Sequence, residues 1–280
     1  MNAPKLNPTV QVPSRKSQIS CVIAAYKQSP FLEQCIESLK AQDHPCELRM
    51  ASSTPSDFLT RVANSHGIPL EINPHRAGIA ADWNFALRCG SAPIAVVCHQ
   101  DDIYEPNFVS SMAGVWDQEP GCLMAFSDHM ELLPDGTRRS GLNLWVKRRL
   151  VHRAFARSQF VEAQNARRRL LSLGNPICCP GVAINRVNLP EFEFDADWEI
   201  NLDWEAWDRI CTRPGRIAYI DQVLLAHRIH PGSETSAGIG DQRRQIEDAK
   251  MFRRYWPAWI SRLLMLPYSL SYASNKISSA

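Results

Sequence analysis

The side chains best placed to do chemistry in this sequence are acids at the ends of apolar runs. Asp101 and Asp102 follow almost directly on Ile94-Ala95-Val96-Val97-Cys98, the strongest strand-like run in the chain. Adjacent carboxylates repel each other, and a cation shared with a ligand relieves that repulsion. Oxygen ligands favour a hard ion, Mg(II) or Mn(II), of the kind that bridges substrate phosphates. The pair also fits a helix start, with Asp102 as the cap ahead of Glu105-Pro106. A third acid, Asp203, stands near the front of Asn201-Leu202-Asp203-Trp204-Glu205-Ala206-Trp207-Asp208-Arg209-Ile210, where Leu202, Ala206 and Ile210 line one helix face. A carboxylate there complements the helix dipole, typically for about 1 kcal/mol. Late in the chain, Ala226-His227-Arg228-Ile229-His230 follows the apolar run Ile220–Leu225. On a strand, Arg228 and His230 share one face and His227 takes the other. Either they meet a ligand or they are polar groups bonded to backbone.

These groups need a scaffold, and the hydrophobic pattern supplies one. Residues 19–26 form a β-branched apolar run, as expected of a strand buried on both faces. Leu32, Cys35, Ile36 and Leu39 then recur at helix spacing. A second strand is expected over Glu47–Ala51, a helix through Phe58, Val62 and Ala63, and a third strand over Pro69–Asn73. Another helix carries Trp83, Asn84, Leu87 and Arg88 into the strand Ile94–Cys98. Such alternation predicts βαβ units and a mainly parallel, Rossmann-like sheet flanked by helices, with ligands at the carboxyl ends of the strands. The second half is less regular. Leu123–Phe126 and Met130–Thr137 read as two strands, Leu144–Leu173 as basic helix, and residues from Gln242 onward as helix broken at Pro257 and Pro267.

Several of these segments together resemble family 2 glycosyltransferases of the GT-A fold. Asp101-Asp102-Ile103-Tyr104-Glu105-Pro106 is similar to that family's metal-binding acidic motif. Val22–Tyr26 with Phe31–Leu39 looks like its first strand and helix, and Gly78-Ile79-Ala80-Ala81-Asp82-Trp83-Asn84 like the Gly-to-Asn segment before the acidic strand. The resemblance runs from about residue 18 to 236. It implies an enzyme that moves a sugar from a nucleotide diphosphate donor to an acceptor hydroxyl, by single displacement with inversion, in surface polysaccharide or glycolipid assembly. It also implies roles. Asp101 and His230 hold Mg(II) or Mn(II); Arg228 meets leaving-group charge; Ala24, Ala25, Tyr26 and Asn84 lie on the donor side, with Gln100 or Asp102 near the ribose. Asp203 becomes the general base, with Glu205, Asp197 and Glu199 as fallbacks. Trp204, Glu205 and Cys179 fall on the acceptor side, Trp204 as a sugar platform or as core. The chain departs from the pattern twice. The place after the second strand, often acidic, reads Ala51-Ser52-Ser53-Thr54, and His99 stands where a further Asp is common. Both bear on the donor nucleotide, for which a UDP-sugar is the default, and the acceptor is a saccharide or a lipid-linked one.

Composition fits this class. With 280 residues, 45% of them apolar, the chain can bury a sizeable core, and a net charge of +2 without one dominant basic stripe argues against nucleic acid. No run approaches a membrane span. The organisation expected is a disordered leader (1–17) without a signal-peptide core, a GT-A domain (18–240) and a helical amphipathic extension (241–280) that docks on a membrane or packs back on the domain. Nine cysteines without a CxxC pair read as reduced thiols of a cytoplasmic protein, possible peripheral contact with the inner face of a membrane included. Two other readings stay open: a sugar-nucleotide nucleotidyltransferase, for which no Gly-rich basic loop is present, and a non-catalytic binding protein with a decayed pocket.

Overall fold

The computed structural model describes residues 18–75, 78–156, 158–230 and 242–271. The leader expected over 1–17, the residues after His230 in the late basic motif, and the last residues of the C-terminal extension lie outside the described residues. The first strand, β1 (Ile19–Ala24), is buried along almost its whole length. Side chains alternate across a strand, so Cys21 and Ile23 enter one core and Val22 the other. A strand with no polar face has to be sandwiched, and β1 sits inside the sheet, parallel to both β2 (Glu47–Ser52) and β4 (Ile94–His99). β3 (Leu70–Ile72) extends β2 in parallel. The crossovers are α1 (Leu32–Lys40), α2 (Asp57–His66) and α3 (Ile79–Cys89). Leu32, Ile36, Leu39, Leu59 and Val62 cover one face, while Trp83 and Leu87 of α3 cover the other.

The parallel half is as the sequence predicts; beyond β4 the sheet turns mixed. Its order is β3-β2-β1-β4-β9-β6-β10-β5. Here β9 (Val182–Asn185) runs antiparallel between β4 and β6 (Cys122–Leu132). The two strands expected over 123–126 and 130–137 are one strand, β6. Its mid-strand acid does not interrupt it because Arg148 Nε donates to Asp128 at 2.5 Å. β10 (Arg216–Arg228) pairs in parallel with β6, with register shifts between Ile220 and Leu225. The two-residue strand β5 (Ile103–Tyr104) pairs antiparallel with the end of β10, Ile103 opposite Ala226. That pairing delivers Asp101 and Asp102 to residues 227–230. β7 (Arg138–Arg139) pairs with β6, and β8 (Phe160–Val161) with β10. α4 (Phe108–Gln118) lies on the face of α1, with Phe108 and Met112 buried there.

The remaining helices make a layer on the α3 side. The basic stretch expected as one helix is two, α5 (Leu142–Phe155) and α6 (Gln164–Leu171). Ala156, at φ 48°, ends α5, and Phe160-Val161 is drawn into the sheet as β8. α7 is Leu202–Thr212, α8 Gln242–Tyr255 and α9 Ala258–Ser271. Pro257 divides α8 from α9, but the helix runs on through position 267, so the second break expected there does not occur. α8 packs back on α7. Arg254 Nη1 donates to Asp208 at 2.9 Å and Tyr255 Oη to Asp208 at 2.5 Å, while Phe252 lies edge-on to Trp204. Among the described residues no helix is long and apolar enough to cross a membrane. All nine cysteines are free thiols, and all but Cys46 and Cys89 are buried.

Candidate active site

The sheet edge expected to meet a donor is built from the ends of β1, β2 and β4. Gln100 clamps the end of β1: the Tyr26 N–H donates to Gln100 Oε1 at 3.0 Å, and Gln100 Nε2 donates to the Tyr26 carbonyl at 3.1 Å. Lys27 follows in a left-handed conformation, φ 55°, its N–H bonded to Thr54 Oγ1 at 2.7 Å. Ala24–Lys27 and Ser52–Thr54 therefore form one lip. No acid follows β2, but α3 sends one across. Ser53 Oγ donates to Asp82 Oδ2 at 2.9 Å, and Asp82 Oδ1 is buried with no hydrogen-bond partner among the described residues. Asn84, two residues further on and so on the opposite side of α3, is turned away from this lip. Its amide exchanges two bonds with the Phe194 backbone, at 2.7 and 2.8 Å, tying α3 to the segment before α7.

At the end of β4 the two aspartates separate. Asp101 accepts a 2.5 Å bond from Ser29 Oγ through Oδ1, and its Oδ2 lies 3.2 Å from His230 Nε2. That approach lacks hydrogen-bond alignment, leaving the buried Nε2 without a bonded partner among the described residues. A carboxylate oxygen and an imidazole nitrogen so placed suit a divalent cation of the Mn(II) or Mg(II) class. Among the described residues no third His, Cys, Asp or Glu joins them, so phosphate oxygens and water would complete the shell. Asp102 instead points into the protein. It is 1% exposed and accepts from the Arg228 N–H at 2.9 Å and from His227 Nδ1 at 3.1 Å. Burial alone would raise its carboxyl, but the His227 charge and these bonds hold it below the usual carboxylate range. Placed this way, Asp102 orients the end of β10. His227 titrates higher than an ordinary histidine because Asp102 outweighs its burial.

Arg228 is fixed from three sides. Nε donates to the Asp101 carbonyl at 2.8 Å, an Nη donates to Gln34 Oε1 at 2.7 Å, and the guanidinium lies 4.2 Å over the Phe31 ring, which also packs on His230. A cation is thereby held beside Asp101 and His230. His99 stacks on Trp83 at 4.8 Å, and burial pushes its pKa down to about 4, so it is neutral at pH 7.

Asp203 lies in the first turn of α7. Asn175 Nδ2 donates to its Oδ2 at 2.8 Å and the Trp204 N–H to its Oδ1 at 2.7 Å. Burial raises its pKa to about 6, against the Trp204 N–H and the charges of Lys147 and Arg244, which lower it. From Asn175 the chain runs into a 3-10 turn, Cys179–Gly181, before β9. The thiols of Cys178 and Cys179 are pushed up by burial first and then by the carboxylates of Asp102 and Asp203. This turn is therefore within electrostatic reach of both Asp102 and Asp203. Trp204 and Glu205, brought to the acceptor side by the resemblance, are instead held inside the helical layer. Trp204 is fully buried against Phe252 and Tyr268, so it offers no face to a sugar, and Glu205, 2% exposed, is paired with Arg209 and Arg254.

The sequence reading missed what holds Asp203 in place. Glu247 of α8 accepts the backbone N–H groups of Glu199, Ile200 and Asn201, at 2.9, 3.0 and 2.7 Å, and Asp248 accepts from Asn201 Nδ2 at 2.7 Å. The C-terminal helix thus supplies the carboxylate that organises the approach to α7. The signal available was two adjacent acids, Glu247-Asp248, in an otherwise basic helix.

No curated relative matches the chain by sequence. Solved structures share its fold. A mannosyltransferase from Pyrobaculum calidifontis, solved with GDP-Man and Mn2+, superposes with a TM-score of 0.63 over 94% of this chain and 74% of its own, at 17% identity. Staphylococcus aureus TarS 1-349 with UDP gives 0.59 over 92% and 72%, at 11% identity. Glucosyl-3-phosphoglycerate synthase from Mycobacterium tuberculosis gives 0.54 over 85% and 80%, at 21% identity. These establish the GT-A architecture. The sequence profile "Glycosyl transferase family 2" matches residues 20–189, well over half of the chain. The protein belongs to glycosyl transferase family 2 and is a glycosyltransferase.

Proposed function

We propose that this enzyme transfers a sugar from a nucleoside diphosphate donor to an acceptor hydroxyl, with inversion and with the help of a divalent cation. One observation carries the reading. A carboxylate raised to about 6, Asp203, shares the electrostatic reach of the Cys178–Cys179 turn with Asp102, the neighbour of an aspartate–histidine pair fit for a cation. A carboxylate titrating there is ionised at neutral pH yet more basic than an ordinary aspartate, as a general base should be. Neighbours of the same fold are solved with GDP-Man and Mn2+ or with UDP, which supports a nucleotide-sugar donor.

In this mechanism the donor lies along the Ala24–Lys27 lip with its diphosphate at Asp101, His230 and Arg228. Asp203 takes the proton of the acceptor hydroxyl, and that oxygen attacks the anomeric carbon from the face opposite the leaving group. The bond from that carbon to the β-phosphate oxygen breaks, and its electron pair leaves with the diphosphate. Arg228, held rigidly, meets the developing charge without reorganising. A cation bound by Asp101 and His230 would supply Lewis-acid stabilisation of the same charge. No covalent sugar–enzyme intermediate is needed, so the product anomer is inverted. Thiols without disulfides fit a cytosolic site of action, with a saccharide or lipid-linked acceptor of the kind used in surface polysaccharide or glycolipid assembly.

The test is a panel of UDP- and GDP-sugars with Mn(II). Metal-dependent thermal stabilisation and release of nucleoside diphosphate are expected. Release of pyrophosphate from a nucleoside triphosphate as it condenses with a sugar phosphate, or no stabilisation by any donor, would overturn the reading.

A further inference from the structure

Two helices of the α3-side layer present apolar side chains to water. On α5, Leu142, Trp145 and Val146 share one face at i, i+3 and i+4 and are 75%, 57% and 44% exposed. One turn on, the Arg149 guanidinium lies 5.7 Å over the Trp145 ring. On α9, Trp259 and Leu263, at i and i+4, are 65% and 58% exposed. Isolated exposed apolar residues are ordinary, but runs at helix spacing are not.

Cations that make no ion pair among the described residues border both stripes. Exposed Arg149 and Arg153 follow Trp145 on α5, and exposed Arg253 and Arg262 flank Trp259 on α8 and α9, while Arg138, Arg139, Arg148 and Arg254 are held in ion pairs with Glu105, Glu131, Asp128 and Asp208. Both helices also border the candidate base. Lys147, on α5, is near enough to act on Asp203, and Tyr268 of α9 packs against Trp204, the next residue in α7. The same layer links the two: Arg168 of α6 donates to the Arg254 carbonyl of α8 at 3.0 Å, and Trp256 Nε1 donates to the Ser172 carbonyl at 2.7 Å.

We propose that α5 and α9 dock the protein on an anionic lipid surface, so that a lipid-linked acceptor offers its hydroxyl to Asp203 at headgroup level. Tryptophan rings suit the interfacial zone, leucines the acyl boundary below it, and flanking Arg and Lys the lipid phosphates. A soluble polyanion would satisfy the cations but leave Leu142, Trp145 and Val146 in water. A second copy of the chain would bring like charge against like. This deepens the transferase reading and rests on it only for the identity of the acceptor.

The test uses the full chain and vesicles of phosphatidylcholine, alone or with about one third phosphatidylglycerol, read by co-sedimentation. Binding to the anionic vesicles should be at least about tenfold tighter and should weaken with salt. Replacing Leu142 and Trp145 together by Ser should weaken it at least about tenfold, and Arg149→Glu about fivefold or more. In both variants the thermal midpoint, and its rise with donor and Mn(II), should stay as in the parent. Vesicle binding needs no donor and donor stabilisation needs no vesicle, so the two readings fail separately. Equal partition to both vesicle types, parental binding by the Leu142/Trp145 variant, or a dimer in light scattering that this variant disperses would each overturn the proposal.

Discussion

Asp203→Asn should stop turnover and, above neutral pH, make the protein more stable. Burial raises this carboxyl from 3.8 to about 6. A shift of about two units corresponds to roughly 3 kcal/mol held against the ionised form in the folded state. The sign follows from its being an acid whose pKa is higher folded than unfolded. The penalty is absent below about pH 4, where the group is neutral in both states; it grows between about 4 and 6 and is complete above that. An amide never ionises, so the variant escapes the penalty. It has one oxygen, though, and cannot accept from both Asn175 Nδ2 and the Trp204 N–H, which now bond separate carboxylate oxygens. One lost hydrogen bond costs about 1 kcal/mol, leaving a net gain of about 2 kcal/mol at pH 8 and little or none at pH 4. Urea denaturation at both pH values measures this. In the parent, kcat/KM should fall about tenfold per unit below pH 6, because it reports the free enzyme's base. A profile that breaks near pH 4, or a variant with equal stability changes at both pH values, would refute the argument that desolvation tunes Asp203.

Three further outcomes are expected. Asp101→Asn or His230→Ala should reduce donor affinity in Mn(II) to the level of the parent in EDTA, read by calorimetry; undiminished metal dependence would move the cation elsewhere. Asp82→Ala should weaken donor binding about tenfold, because a buried carboxylate oxygen without a partner stands at the donor lip, whereas unchanged affinity would make Asp82 a strut for Ser53. Asp102→Ala should cost about 3–5 kcal/mol at pH 7, since it strands His227 and the Arg228 N–H. Asp102 titrates below its unfolded value, so its contribution is present above about pH 4 and lost as pH falls through the folded pKa, and the deficit in urea unfolding should shrink in acid.

The parallel half of the fold was legible because its strands have nowhere to put a polar side chain. A run such as Ile94–Cys98 can only be central, and the helices between such runs must cross over. The mixed half was not legible for the opposite reason. β9 is four residues long and follows a turn of Cys, Pro and Gly, so its pairing between β4 and β6 is set by contacts some sixty to ninety residues away in sequence. β6 looked like two strands because Ser127 and Asp128 are polar, and only α5, by bringing Arg148, makes an acid tolerable there. β8 was hidden inside a basic helical pattern because its two residues are fixed by Ile217 and Ala218 across the sheet.

The site divides along the same line. Asp101 could be singled out because a local pattern, strand then adjacent acids, already implies a place at the sheet edge. The division of labour between Asp101 and Asp102 could not, because it is imposed by β10, which lies 125 residues away and takes Asp102 for itself through His227. Glu205 and Trp204 illustrate the converse. At helix spacing beside Asp203 they looked available to an acceptor, yet Arg254 and Phe252 of the C-terminal helix claim both. The same helix holds the residues leading into α7 by three backbone bonds to Glu247. A segment that reads from its composition as an appendage is therefore part of what positions Asp203, the proposed base. Deleting it should impair Asp203 before it impairs the sheet, because β1, β4, β6 and β10 complete their ladders without it.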